Sequence, residues 1–261
     1  MQRLPQKVPQ AEILMPDPAS PNSVGASARV AAWDLPTRLF HWTLLILIVC
    51  AWATYEFAEA LGDETLVFHR ANGLSILILL VWRVLWGVVG SSTARFASFV
   101  SGPVRVLTYA RGVIMGGNAP FLGHNPLGAL MVIALLVTLL AIATLGLFAA
   151  DDNDLVGGPL YRLVDEAGNA RAARLHDQLF NIVLLPLVAL HVTANVLYTF
   201  VKKEPLIQAM IRGTKPAEDY ADAPRAETAH RPGLRALACL AVAAVIVLGG
   251  ILALGGNLTL K

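Results

Sequence analysis

Charge is scarce in this sequence. Of its 261 residues only 15% are Asp, Glu, Lys or Arg, against about a quarter in a typical soluble domain. The net charge of +2 is too small to mark a nucleic-acid partner. Cysteine is scarce as well: Cys50 and Cys239 stand alone, in no CxxC or CxxCH pattern, which leaves out a disulfide framework, a zinc knuckle and a covalently attached c-type haem. The first 28 residues, rich in Pro, Ser and Ala, have no long apolar core ahead of a cleavage site, so they read as a disordered tail rather than a signal peptide.

What the chain has in abundance is apolar residues, 56% of the total, and they are clustered. Stretches at Leu39–Leu61, Leu66–Gly90, Pro126–Ala149, His176–Val201 and Leu234–Gly255 each reach the roughly 20 residues that cross a hydrocarbon core. In lipid the backbone must satisfy its own polar groups, so these spans are expected to be helices. No internal repeat is evident. Arg29 and Arg38, then Arg95, Arg105 and Arg111, then Lys202, Lys203, Arg212 and Lys215 fall on one side if every span crosses. Glu56, Glu59, Asp63, Glu64, Asp151, Asp152, Asp154, Asp165 and Glu166 fall on the other, diluted by Arg162, Arg171 and Arg174. Basic residues gather in cytoplasmic loops, so the expected topology has the N-terminus cytoplasmic and the C-terminus periplasmic.

Ionisable residues inside spans point to function, and the histidines are placed suggestively. With that topology His41 lies towards the cytoplasmic side of the first span and His69 towards the outer side of the second. The fourth span carries His176 at its outer end and His191 fifteen residues further in. Fifteen residues of α-helix rise about 22 Å and turn by about 60° net, so His176 and His191 face broadly one way at two depths. His41 then matches His191 in depth, and His69 matches His176. Two imidazoles aimed at one point in an apolar bundle suit an iron porphyrin. Bis-histidine ligation leaves no position for oxygen, so the chemistry is electron transfer. The 22 Å rise excludes a single four-histidine zinc site. The competing reading is that the histidines anchor helix ends or bond across helices, in a haem-free transporter or structural membrane protein.

Other residues around these positions are candidates. Gly73, four residues after His69 and on its face, makes room for a porphyrin plane or serves ordinary helix packing. Arg83, Arg70 and Arg38 are candidate partners of haem propionates, with snorkelling as the alternative. Pro186 is expected to kink the fourth span between its histidines. Trp33, Trp42, Trp52, Trp82 and Trp86 are read mostly as an aromatic belt. His124, at the mouth of the third span, is a candidate for proton uptake or for holding a quinone carbonyl, or it caps the helix start with Asn125. His230 reads as a surface residue.

Several motifs, in order, resemble the bacterial cytochrome b561 family: "WDLPTRLFHW" (Trp33–Trp42), "FHRANGLSILILLVWRVLWGVVGSSTARF" (Phe68–Phe96), "YARG" (Tyr109–Gly112), "LGHNPLGALMV" (Leu122–Val132) and "LHDQLFNIVLLPLVALHV" (Leu175–Val192). The superfamily includes the b-type cytochrome subunits of membrane-bound nickel–iron hydrogenases. The resemblance runs from about Trp33 to Thr214 and implies a four-helix core holding two b haems, ligated from the first, second and fourth helices. Residue by residue this gives His41 with His191 and His69 with His176, the same pairs as above, as iron ligands. It also implies exchange with quinone, ubiquinone or menaquinone. The long N-terminal tail and the fifth span depart from the family pattern.

The sequence therefore reads as an all-α polytopic membrane protein of the bacterial inner membrane. It is divided into a disordered tail (1–30), a four-helix transmembrane dihaem domain (31–214), a polar linker (215–233) and a C-terminal transmembrane helix (234–261). The expected function is carriage of electrons across the membrane between the quinone pool and a redox partner, in contact with membrane lipids. The alternative is the cytochrome b subunit of a membrane-bound hydrogenase or other periplasmic dehydrogenase, with a periplasmic cytochrome c as a further candidate partner. Whether the chain is an electron carrier or a quinone-coupled oxidoreductase subunit is left open.

Overall fold

Asp34 sets where the first helix begins. Its Oδ1 accepts from the Thr37 backbone N–H at 2.8 Å, and Pro36 occupies the first turn, where its missing N–H costs nothing. Helix α1 (Leu35–Glu56) thus starts before the expected Leu39 and stops at Phe57, ahead of the short α2 (Ala58–Leu61). The computed structural model describes residues 29–62, 64–150, 157–222 and 231–259. Helix α3 (Glu64–Val89) returns across the bundle and is followed by α4 (Phe96–Phe99) and α5 (Pro103–Met115). Helix α6 (Pro126–Gly146) starts under an Asn125 cap, with Gly128 N–H donating to Asn125 Oδ1 at 2.8 Å.

The fourth crossing is longer than expected. Capped by Asp165, α7 (Glu166–Gln178) runs through a π-helical turn (Leu179–Leu184) into α8 (Leu185–Phe200), 35 residues in all. Its first turns are polar and project past the apolar stretch that the sequence marks. The π turn ends at Leu184, two residues before Pro186. A proline clashes with the carbonyl four residues back and offers no N–H; the wider turn absorbs both. Helix α9 (Leu206–Arg212) follows, and the last crossing is built from α10 (Pro232–Ala244), a second π turn (Val245–Gly249) and α11 (Gly250–Ala253). Among the described residues five helices are long and apolar enough to span a membrane, in the expected order.

α1 packs along α3, and α6 packs against both α3 and α7. Leu44, Ile76, Leu80, Leu139, Ile142 and Leu184 form the bundle's central layer. The fifth crossing lies on α3 and touches α1, burying Ala243, Val247 and Ile251 at four-residue spacing. Trp82 Nε1 donates to the Ala236 carbonyl at 2.9 Å. The far end of this crossing is also tied down: Asn257 N–H donates to Pro159 O at 3.0 Å, and the Arg70 guanidinium donates to Asn257 O.

At the other end of the bundle two short strands, β1 (Arg29–Ala31) and β2 (Thr214–Pro216), pair antiparallel with Val30 opposite Lys215. They cover a small core of Ala32, Trp33, Leu122, Ala209 and Tyr220. This cap includes Arg29 and Val30 from the expected tail, and Lys215, Tyr220 and Asp222 from the expected linker. Main-chain pairing and burial hold these residues although their local composition is polar. The rest of the expected tail, residues 223–230 of the linker with His230, and Asp63, Asp151, Asp152 and Asp154 lie outside the described residues.

The tryptophans correct a sequence expectation. Trp33, Trp82 and Trp86 are buried rather than spread in a belt. Phe40, Trp82 and Trp86 stack in series, with centroids 5.4 and 5.5 Å apart, and Trp86 Nε1 donates to Thr37 Oγ1 at 3.2 Å. Aromatic stacking and a reachable acceptor make the interior the better place for these rings.

Candidate functional site

The fold brings four histidines together as two pairs. His41 on α1 faces His191 on α8, with ring centroids 6.4 Å apart; this is the cap-side pair. His69 on α3 faces His176 on α7 at 6.1 Å; this is the far-side pair. The central apolar layer lies between them, since Leu184 falls between His176 and His191 on one crossing and Leu44 follows His41 by one turn.

These spacings fit a metal between the rings. An imidazole–metal bond is about 2 Å, and two such bonds on opposite sides of one ion place the ring centroids about 6 Å apart. The rings are too far apart for a mutual hydrogen bond. No cluster of three or more His, Cys, Asp or Glu that could hold a bare ion occurs among the described residues, so two protein ligands per site require a group that supplies the rest of the coordination sphere. Space is available beside the far-side pair: a Cβ built on Gly73 meets nothing within 4 Å. The donor set fits a haem in each place, and beside the far-side pair the room fits one as well.

The far-side rings are oriented by main-chain carbonyls. His69 Nδ1 lies 2.8 Å from Ala51 O, and His176 Nδ1 lies 2.8 Å from Ile142 O. A carbonyl accepts only, so each Nδ1 carries the proton and each Nε2 is left as the free lone pair. Gly146 admits the His176 ring: a Cβ there would stand 3.2 Å from its Cε1 and Nδ1. The sequence does not announce Ala51, Ile142 or Gly146, since a carbonyl belongs to every residue and glycine has many uses. The cap-side rings lack such partners. His41 Nδ1 is buried without a hydrogen bond. Asn195 donates to the His191 carbonyl at 2.7 Å and lies only 3.4–3.5 Å from the ring nitrogens.

The arginines find protein partners. Arg38 donates through one terminal nitrogen to Ile211 O at 2.7 Å, and Trp42 Nε1 reaches Met210 O at 3.3 Å, so α1 side chains serve the last carbonyls of α9. Gly213, at φ 84°, closes that helix where a Cβ would press on Trp33 O and Arg38 Nε. Arg70 is held by Asn257 O. Arg83 is 3% exposed, sits 4.9 Å over the Phe96 ring and feels the Asp34 carboxylate. Its Nη1, like Nε of Arg38 and of Arg70, remains buried and unbonded.

His124 is locked into the cap between Trp33 and Phe99, with centroids at 4.7 and 4.6 Å, while Asn125 alone does the capping. Its Nδ1 is buried without a partner, and the other nitrogen meets the Thr93 backbone. Burial above all, then the positive charges of Arg83 and Lys215 and the neighbouring His191, push its pKa down to about 3. Beside it opens a cavity of about 240 Å³ lined by Ser98, Phe99, Ser101, Arg105, Phe121 and Asp222 among others. Asp222 caps the cavity's turn, accepting from Leu122 and Gly123 N–H at 2.6 and 2.9 Å. Lys215, 1% exposed, donates to Phe121 O at 2.7 Å. Burial lowers its pKa, against the pull of Glu204, Asp222 and Glu218.

Comparison with known proteins adds one finding. The model of a family described as prokaryotic cytochrome b561 matches residues 32–213. Among curated proteins none matches the chain.

Proposed function

The chain belongs to the prokaryotic cytochrome b561 family, which makes it a multi-pass membrane b-type cytochrome working in electron transfer, and from that premise we propose that it holds two b haems and carries electrons across the bacterial inner membrane. The observation that carries this reading is the pair of facing imidazoles found twice, at 6.4 and 6.1 Å, on opposite sides of one apolar layer. His41 and His191 hold one haem, and His69 and His176 the other. A haem held by two imidazoles supplies one-electron transfer with no position open to oxygen. The protein's part is orientation and exclusion. Ala51 O and Ile142 O fix the orientation of the far-side rings, and Leu44, Ile76, Leu80 and Leu184 keep water from the space between the pairs.

The cap takes the cytoplasmic side by the distribution of Lys and Arg, which sets the N-terminus inside and the C-terminus outside. Quinone is the proposed exchange partner on the cap side. The cavity beside His124 supports this, since it offers two phenylalanine rings, two serine hydroxyls and Arg105 within reach of one ring-sized ligand. Arg83, Arg70 and Arg38 each keep a buried nitrogen free for a propionate.

Pyridine haemochrome stoichiometry on the purified chain tests the reading. Two haems per chain are expected; one per chain refutes the second site. Absence of a b-type α-band from the reduced-minus-oxidised spectrum refutes both. Subunits that co-purify separate a free-standing carrier from the cytochrome b subunit of a hydrogenase or dehydrogenase.

A further inference from the structure

Helix α5 lies outside the spans, between the end of α3 and the start of α6, and it packs on α6. One residue of it is fully inside: Tyr109, whose ring meets Phe121 edge-on at 5.7 Å and whose hydroxyl lies 3.5 Å from that of Tyr198 on α8. The opposite face is apolar and bare. Val104 is 77% exposed, Leu107 62%, Ile114 88% and Met115 84%. At 100° per residue these side chains, with Thr108 and Arg111, fall on a single stripe. Water is a poor neighbour for such a stripe, and the described cap and bundle leave it uncovered.

Position and charge identify what covers it. α5 sits at the level where two spans leave the hydrocarbon, so a membrane leaflet is at hand. The segment Ser91–Asn125 carries Arg95, Arg105 and Arg111 and no acid, and Arg105 and Arg111 are exposed. Arg111 stands in the middle of the apolar stripe, where a long side chain extends its head to the phosphate layer. We propose that α5 is an interfacial helix seated in the cap-side leaflet, its apolar stripe among acyl chains and Arg111 on the headgroups of anionic phospholipid. The seat bears on the electron-transfer site, because Tyr109 joins α5 to α8 one face-repeat from His191.

The test uses the full haem-loaded chain with Cys50 and Cys239 replaced by alanine. Nitroxide labels are placed at Leu107→Cys, Ile114→Cys and, as a water-facing reference on the cap, Ala217→Cys. Nanodiscs contain phosphatidylcholine alone or mixed with phosphatidylglycerol, and an unchanged haem spectrum certifies each variant. Labels at positions 107 and 114 are expected to be relaxed by oxygen and shielded from a water-soluble nickel chelate, with the reverse at 217. Phosphatidylglycerol is expected to be enriched in lipid retained from the mixed discs, and the enrichment to vanish in Arg111→Gln. Nickel access at 107 and 114 equal to that at 217 would put the stripe in water and overturn the proposal. Exclusion of both reagents would mean a protein covers it, a second copy or another subunit, and would also overturn it. Retained lipid of bulk composition in the wild type would remove the anionic part.

Discussion

The two histidine pairs differ in how their rings are held. Both far-side rings hang from main-chain carbonyls at 2.8 Å, so their tautomers are fixed before any ligand arrives. The cap-side rings have no such tether: His41 Nδ1 is unbonded, and His191 has Asn195 only at the edge of hydrogen-bond range. The far-side pair is therefore preorganised by backbone, whereas the cap-side pair depends on side-chain neighbours, Trp42 edge-on to His41 and Asn195 beside His191. Ligand sites of equal composition can thus differ in robustness.

The largest effect should come from removing a ligand. His191→Ala is expected to halve the haem content, sparing the far-side haem, and His176→Ala to do the converse, as read by haemochrome assay and low-temperature spectra. If either variant loses both haems, the pairs are not independent. Next is Gly146→Val. Its side chain would displace the His176 ring, weakening far-side haem affinity by about 10- to 100-fold and leaving the cap-side pair intact; haem titration of the refilled protein checks this.

A smaller effect concerns acid. His124 has a folded pKa of about 3, below its unfolded value of about 6.5, so the unfolded chain takes up the proton first and stability falls as pH drops through that window. Between pH 6.5 and 5 the loss is about 2 kcal/mol. His124→Gln should flatten the dependence of melting temperature on pH over this range. In the wild type, acid should release the cap-side haem before the far-side one; simultaneous release would show that the contrast between the pairs does not govern their stability.

Much of this arrangement is legible in the sequence. Span order and histidine depth follow from apolar runs and helical pitch, and the facing of His41 with His191 and of His69 with His176 agrees with that depth match. The tethers at Ala51 and Ile142 are not legible, because main-chain acceptors leave no mark in side-chain chemistry. The burial of Trp82 and Trp86 is hidden because a membrane helix is apolar on every side, so periodicity does not separate lipid from core. The cap is missed because Lys215 and Asp222 read as solvent-facing residues, whereas the fold buries Lys215 on Phe121 O and sets Asp222 on the Leu122 and Gly123 N–H groups. α5 is short and basic, and its lipid-facing stripe emerges once the bundle shows which side is left bare.

The π turn at Leu179–Leu184 has a consequence for insertions and deletions. A purely α-helical interval of fifteen residues leaves His176 and His191 about 60° apart, while fourteen leave them about 40° apart in the opposite sense. A π turn accommodates a surplus residue without shifting the rest of the helix, so this crossing behaves as a fourteen-residue interval with one residue stored in a loop of the spiral. Deleting Ile182 should let the turn tighten to α-helix and preserve both haems, whereas deleting one residue from α3 or α6 would rotate everything beyond it. The fourth crossing is the place in the bundle where chain length is free to drift while the two stations stay in register.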